Sequence, residues 1–227
     1  MLKDKGLIIG IAVTLILIVG GVLLMSKGSS SSSTTSTKVD SSILVPNGDY
    51  ETSGFENGSY LSASTSAKVT FVEFGDYECP ACGTYAPFIK QLLTDFPGQV
   101  NFVFRNYPLS QHTNAPISSY AAEAAGLQGK FWQMHDKLYE TQNDWSSASD
   151  PESVFITYAQ SLGLDVNRFK ADIASSTVKN KVQSDTNDGN TVALTETPTF
   201  YINGVKVENL TGSYSDLKSL VSAQLNK

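Results

Sequence analysis

Cys79 and Cys82 are the only cysteines in this chain of 227 residues, and they stand as Cys79-Pro80-Ala81-Cys82 inside FGDYECPACGTYAPF, residues 74–88. Such a pair can be a structural staple, half of a metal site or a redox centre. A C-x-x-C disulfide closes too small a loop to stabilise much. A metal would need two more ligands, yet His112 and His135 are the only histidines. Their spacing from the cysteines matches no compact zinc pattern, so no metal is expected. Each histidine reads as structural, His135 within the aromatic run FWQMHDKLY. Redox chemistry remains. A free thiol ionises near pH 8.5, whereas one at a helix N-terminus can fall to roughly 3.5–7.5, because the terminal N–H groups favour the anion. Cys79 opens a helical pattern and is therefore the attacking or attacked sulfur; Cys82, one turn on, is the resolving thiol.

The elements that position this pair are legible around it. Lys68–Gly75, KVTFVEFG, is a short β-branched and aromatic run, which predicts a buried strand. Tyr85, Phe88, Ile89, Leu92, Leu93 and Phe96 recur at helical spacing until Pro97–Gly98 breaks the pattern. Val100–Arg105, VNFVFR, predicts a second strand, and strand–helix–strand implies a right-handed unit with parallel strands. Ala115 to about Val192 reads as mostly helical, with Asp150–Pro151–Glu152 as one helix start. Pro198–Ile202, a turn at Asn203–Gly204 and Val205–Val207 form a hairpin, and Tyr214 to about Leu225 a last helix. Glu73 sits between Val72 and Phe74 in the first of these strands. Alternation alone allows it to face either solvent or the core, and in the core a carboxylate is costly unless it works or is paired.

The order βαβ, helical block, ββα, with C-x-x-C at the start of the first helix, resembles the DsbA-like family of thioredoxin-fold, extracytoplasmic thiol–disulfide oxidoreductases. The likeness runs from about Lys68 to Leu225. It is carried by VEFGDYECPAC, by Pro87 within the first helix, by FRNYPLSQHTNA, QGKFWQMHDKLYETQ and TPTFYING. The resemblance implies an α/β thioredoxin fold, a central mixed sheet flanked by helices, over residues 66–227, with a helical insertion at about 112–192. It implies that Glu73 is the family's buried acid, exchanging protons with Cys82, and that Thr197–Pro198 is its cis-proline site. Thr197, Pro198, Pro80 and Ala81 would then bind an extended peptide as an added strand. No prosthetic group is implied. Residues 43–65 match no part of the family and read as an N-terminal extension.

Proline after the first cysteine is the oxidase-like choice, but Ala81 stands where the strongest oxidants carry histidine. The potential is therefore expected between about −270 mV for thioredoxin and about −120 mV for DsbA. The family implies reduced secreted polypeptides as substrates and a quinone-linked membrane oxidase, of the DsbB or vitamin K epoxide reductase type, for recycling. A tethered reductase or isomerase, and a non-catalytic peptide-binding module, are the readings from other classes.

Charge and hydropathy set the context. Residues 1–42 carry a net +2 and the remainder −8, with no basic stripe, which argues against nucleic-acid binding. Residues 6–25 are free of charge and would span about 30 Å as a helix, enough to cross a bilayer. No A-x-A site follows, so the segment reads as an uncleaved single-pass anchor, with residues 1–5 cytoplasmic and the domain extracytoplasmic. Residues 26–42, rich in Ser and Thr, read as a solvated linker.

Overall fold

The structure is a computed structural model that describes residues 38–46 and 49–227. The expected anchor, residues 6–25, lies outside the described residues. Among the described residues no helix is long and apolar enough to cross a membrane.

Two parallel strands form the centre. β3 (Val69–Gly75) lies between parallel β4 (Val100–Asn106) and antiparallel β5 (Thr199–Ile202), in register Phe71↔Phe102, Glu73↔Phe104 and Glu73↔Phe200. Covered on both faces, β3 and β4 are buried along their whole length except for a half-buried second residue in each. β6 (Val205–Lys206) pairs with β5 on one side, and β1 (Glu51–Glu56) and β2 (Ser59–Ser62) extend the sheet on the other, giving the order β2-β1-β4-β3-β5-β6. Both hairpins turn on Asn-Gly. Asn57 and Gly58 have φ of 50° and 78°, Asn203 and Gly204 of 50° and 84°, the paired positive values that favour these two residues.

The β1–β2 hairpin lies in the segment the sequence left without a role, and it pairs antiparallel with β4 through Glu51↔Val103 and Thr52↔Phe102. Ahead of it, α1 (Ser41–Leu44) is fastened to the sheet by the Val39 N–H to the Gly204 carbonyl at 2.7 Å. Residues 38–42 of the run read as linker are thus part of the folded domain. Leu44 joins Val72, Phe74, Val103, Tyr107, Leu194 and Tyr201 in the core beneath one face of the sheet.

The other face carries α2 (Pro80–Asp95), whose Cys82, Tyr85, Ile89, Leu92 and Leu93 are buried, and α9 (Tyr214–Leu225), which buries Leu217 and Val221. Between β4 and β5 run α3 (Ala115–Gly126), α4 (Phe131–Glu140), α5 (Gln142–Trp145), α6 (Pro151–Ser161), α7 (Val166–Ala174) and α8 (Ser176–Thr191). Asp150 caps α6 by accepting the Ser153 N–H at 3.2 Å. The α4 aromatics Phe131 and Trp132 pack on Phe104 and Phe102 of the sheet. Helix α4 therefore closes over the same face as α2, whereas α8 reaches the opposite face of β4 through Asp185 and Asp188 on Arg105.

Candidate active site

The pair is set where β3 hands the chain to α2. Cys79 is the N-cap residue, with φ −71° and ψ 120°, and Pro80 supplies the fixed φ of the first turn. The loop is held from behind: the Cys79 N–H donates to the Asp76 carbonyl at 3.1 Å. From α5, the Gln142 amide donates to the carbonyls of Tyr77 and Cys79 at 2.7 and 2.9 Å. Gly83 makes room for this clamp, since a Cβ there would come within 2.9 Å of Gln142 Oε1.

Cys79 is 6% exposed and Cys82 fully buried, and both are free thiols. The Cys79 thiol donates to the Thr197 carbonyl at 3.3 Å. Its pKa is lowered to about 5, first by the Cys82 thiol, then by the Thr197 side chain and the backbone N–H groups of Cys82 and Ala81, against an opposing cost of burial. In the thiol form the Thr197 hydroxyl has no partner, so it is a donor available to the thiolate. Burial pushes Cys82 the other way, well above an ordinary thiol, with Cys79 and the charge of Glu73 adding to the rise. Two cysteines three residues apart thus differ strongly in acidity.

Glu73 lies on β3 on the same face as Phe71, directed at this pair, and is 1% exposed. Its pKa is raised to about 8, by burial first and then by the Cys79 charge, with the Cys82 thiol pulling the other way. Glu73 Oε1 has no hydrogen-bond partner. Gly75 leaves the space it occupies, because a Cβ at residue 75 would strike the Phe104 ring and lie 2.9 Å from Glu73 Oε1. Between about pH 5 and 8 the reduced site accordingly holds a Cys79 thiolate beside a neutral carboxylic acid.

The Thr197–Pro198 peptide bond is cis. Together with Ala81 and Tyr85 of α2, residues 196–200 and 206–210 line a groove of about 320 Å³ that opens beside Cys79. All seven residues singled out from the sequence, Glu73, Cys79, Pro80, Ala81, Cys82, Thr197 and Pro198, therefore meet in one place. Three others do so without a sequence signal strong enough to find them. Gln142 is one. Asp76, fully buried, is the second: its N–H lies 3.5 Å from Cys82 Sγ, and its carboxylate accepts from the N–H groups of Glu78 and Leu109 at 2.8 and 2.9 Å. His112 is the third, with Nδ1 at 2.7 Å from Asp76 Oδ2. Among the described residues no cluster of three or more histidine, cysteine or acidic side chains could hold a metal.

A dithiol at a helix N-terminus facing a cis-proline, on a mixed sheet with an inserted helical block, is a DsbA-like thiol–disulfide oxidoreductase architecture. The thioredoxin family model matches residues 58–223, and the chain belongs to that family. Among solved structures it is similar to oxidised BdbD from Bacillus subtilis, with 26% identity over 73% of this chain and 91% of that one and a TM-score of 0.63. A thioredoxin-like oxidoreductase from Silicibacter pomeroyi shares the fold at 22% identity, covering 83% and 99% of the two chains, with a TM-score of 0.66. The thiol–disulfide exchange protein alpha-DsbA2 from Wolbachia pipientis does so at 19%, covering 81% and 90%, with a TM-score of 0.63. In sequence, the chain is 40% identical over 146 residues to a protein named Na(+)/H(+) antiporter NhaA 1 from Salinispora arenicola, which is 64% of this chain and 22% of that one. A Herminiimonas arsenicoxydans protein named Na(+)/H(+) antiporter NhaA matches at 34% over 155 residues, 68% and 23% of the two. The chain thus spans about a fifth of the length of these relatives.

Proposed function

We propose that the protein donates the Cys79–Cys82 disulfide to reduced polypeptides outside the cytoplasm. The observation that carries this reading is the unequal acidity of the two sulfurs beside a groove that fits an extended chain. A substrate thiolate attacks Cys79 Sγ, the Cys79–Cys82 bond breaks, and Cys82 departs as the poor leaving group of the pair. Glu73, held neutral chiefly by burial, supplies the proton that Cys82 takes. The substrate's second thiolate then attacks the substrate sulfur of the mixed disulfide and expels Cys79, whose low pKa makes it the better leaving group. The substrate gains one disulfide and the protein becomes the dithiol.

The reverse step uses the same group. In the mixed disulfide Cys79 carries no charge, one cause of the raised Glu73 pKa is gone, and Glu73 is more often the ionised carboxylate that can accept the Cys82 proton. Thr197 and Pro198 present the backbone along which the substrate lies, with Pro80 and Ala81 on the opposite wall. A cell-membrane anchor at residues 6–25 would hold the domain outside the cytoplasm, where secreted thiols are substrates and a quinone-linked membrane oxidase restores the disulfide. Support for that placement comes from the charge-free segment alone.

Equilibration of the full chain with glutathione tests the direction. A potential between about −200 and −120 mV supports disulfide donation, and one near −270 mV makes the protein a reductase. In parallel, Cys82→Ala mixed with glutathione disulfide should accumulate a mixed disulfide between Cys79 and one glutathione, the other leaving as its thiolate. If it forms none, Cys79 is not the sulfur attacked.

A further inference from the structure

The active-site segment contains no basic residue between Lys68 and Lys90, and Ala81 gives the cysteine pair no cation of its own. The fold brings one from elsewhere. Residues 109–114, in the loop after β4, are fastened to residues 76–78 at three points: the Leu109 N–H on Asp76, the His112 ring on Asp76, and the Asn114 N–H on Glu78 Oε2 at 2.6 Å. Asp76 in turn touches both cysteines through its backbone, accepting the Cys79 N–H and directing its own N–H at Cys82 Sγ. His112 is thus one side chain removed from the redox centre, and its ring is 20% exposed, open to proton exchange with solvent.

We propose that His112, gripped by Asp76, is a positioning residue whose imidazolium stabilises the Cys79 thiolate, and that its proton is held more tightly in the dithiol than in the disulfide. The inference rests on the reading of Cys79 and Cys82 as a redox pair. The charged groups facing the ring are Asp76, Glu78 and Cys79, all anionic in the dithiol form, and each favours the protonated ring while burial opposes it. Only the Cys79 charge disappears on oxidation. Linkage makes the effect reciprocal: whatever the thiolate adds to proton affinity at His112, the imidazolium adds to acidity at Cys79. Oxidation by a partner disulfide such as glutathione disulfide then removes two electrons and the Cys82 proton, plus a fraction of a proton from His112. A neutral ring at this position would leave the Asp76 carboxylate uncompensated, three residues from Cys79, with the same sign of effect.

The test is a proton NMR titration of the two histidines in the full chain, reduced and oxidised, with His112→Gln used to assign the signals. The expected result is a His112 midpoint higher in the dithiol by about half a unit to one unit, equivalent to roughly a threefold to tenfold change in proton affinity. The Cys79 thiolate midpoint in His112→Gln should rise by the same factor, while His112→Lys should restore it. Equal His112 midpoints in the two redox states would overturn the inference, and that measurement needs no variant to fold differently. A chain that never forms the intramolecular disulfide, read by thiol counting, would instead overturn the redox reading itself.

Discussion

Two groups of buried charge flank β4, and they are built on opposite plans. Around Arg105, which is fully buried, Asp185, Asp49 and Asp188 lie at 2.8, 3.1 and 2.6 Å, and Lys181 reaches Asp49 and Asp185 at 2.7 Å each. Arg105 also donates to the Ile43 and Leu44 carbonyls at 2.7 and 3.1 Å, so this cluster fastens α1 to the domain. At the other site Glu73 is equally buried, and Oε1 is left without a partner. Pairing with Asp185 and Asp49 holds Arg105 charged against the cost of burial and makes the cluster a structural clamp, although burial still raises the pKa of Asp49. Leaving a carboxylate unpaired lifts its pKa into the working range, and that is what a proton donor needs. Glu123 stands between the two plans. It accepts from Asn106 at 2.7 Å, feels Lys181, and is still raised to about 7 by burial.

If the contrast is real, removing one partner from each site should have opposite consequences. Arg105→Met leaves Asp188 without its cation and Asp49 and Asp185 with Lys181 alone, and should cost about 3–5 kcal/mol in urea unfolding, with release of residues 38–46. A loss under about 1 kcal/mol would mean the cluster is not a clamp. Glu73→Gln should instead stabilise the fold at alkaline pH. The folded pKa of about 8 exceeds the ordinary 4.5, so the folded chain holds a proton that the unfolded chain has lost. Stability therefore falls as pH rises from about 4.5 through 8, and the variant should be more stable above pH 8 by about 5 kcal/mol, with no advantage below pH 4.5. Its thiol–disulfide exchange with a dithiol peptide should be slower across pH 5–8; an unchanged rate would remove Glu73 from the mechanism.

Smaller changes sharpen the same comparison. Gly75→Ala intrudes on the Phe104 ring and on Glu73, and should cost about 1–3 kcal/mol while moving the pH dependence just described. Gln142→Ala removes two hydrogen bonds from the active-site loop. About 1 kcal/mol of stability should be lost, with faster amide exchange at residues 79–83 as the readout.

The sequence disclosed those parts whose signals are local. β3, β4 and α2 announce themselves by short runs rich in β-branched and aromatic residues or by helical spacing. Glu73 is conspicuous because it interrupts one of them. The β1–β2 hairpin was missed although it turns on Asn57–Gly58, because β1 buries Thr52, Ser53 and Gly54 and its register shifts between Thr52 and Phe55. The two hydroxyls are satisfied by the carbonyls of Leu61 and Ser62, at 2.8 and 2.6 Å, so polar residues fill what alternation would make apolar. Within the site, Cys79, Cys82 and the Thr197–Pro198 pair carry short motifs. Asp76, His112 and Gln142 are single polar residues whose partners lie 33 to 65 positions away. Only the folded chain brings them together.

The claim on which the rest depends is that Cys79 is a thiolate at neutral pH while Cys82 is not. Its most direct test is the ultraviolet thiolate absorbance of the reduced full chain, followed from pH 3 to 10, with Cys79→Ala as the reference for the signal that Cys82 alone contributes. The account predicts one thiolate per chain with a midpoint near 5, where the structure places Cys79. A midpoint near 8.5, the value of an ordinary thiol, would contradict it.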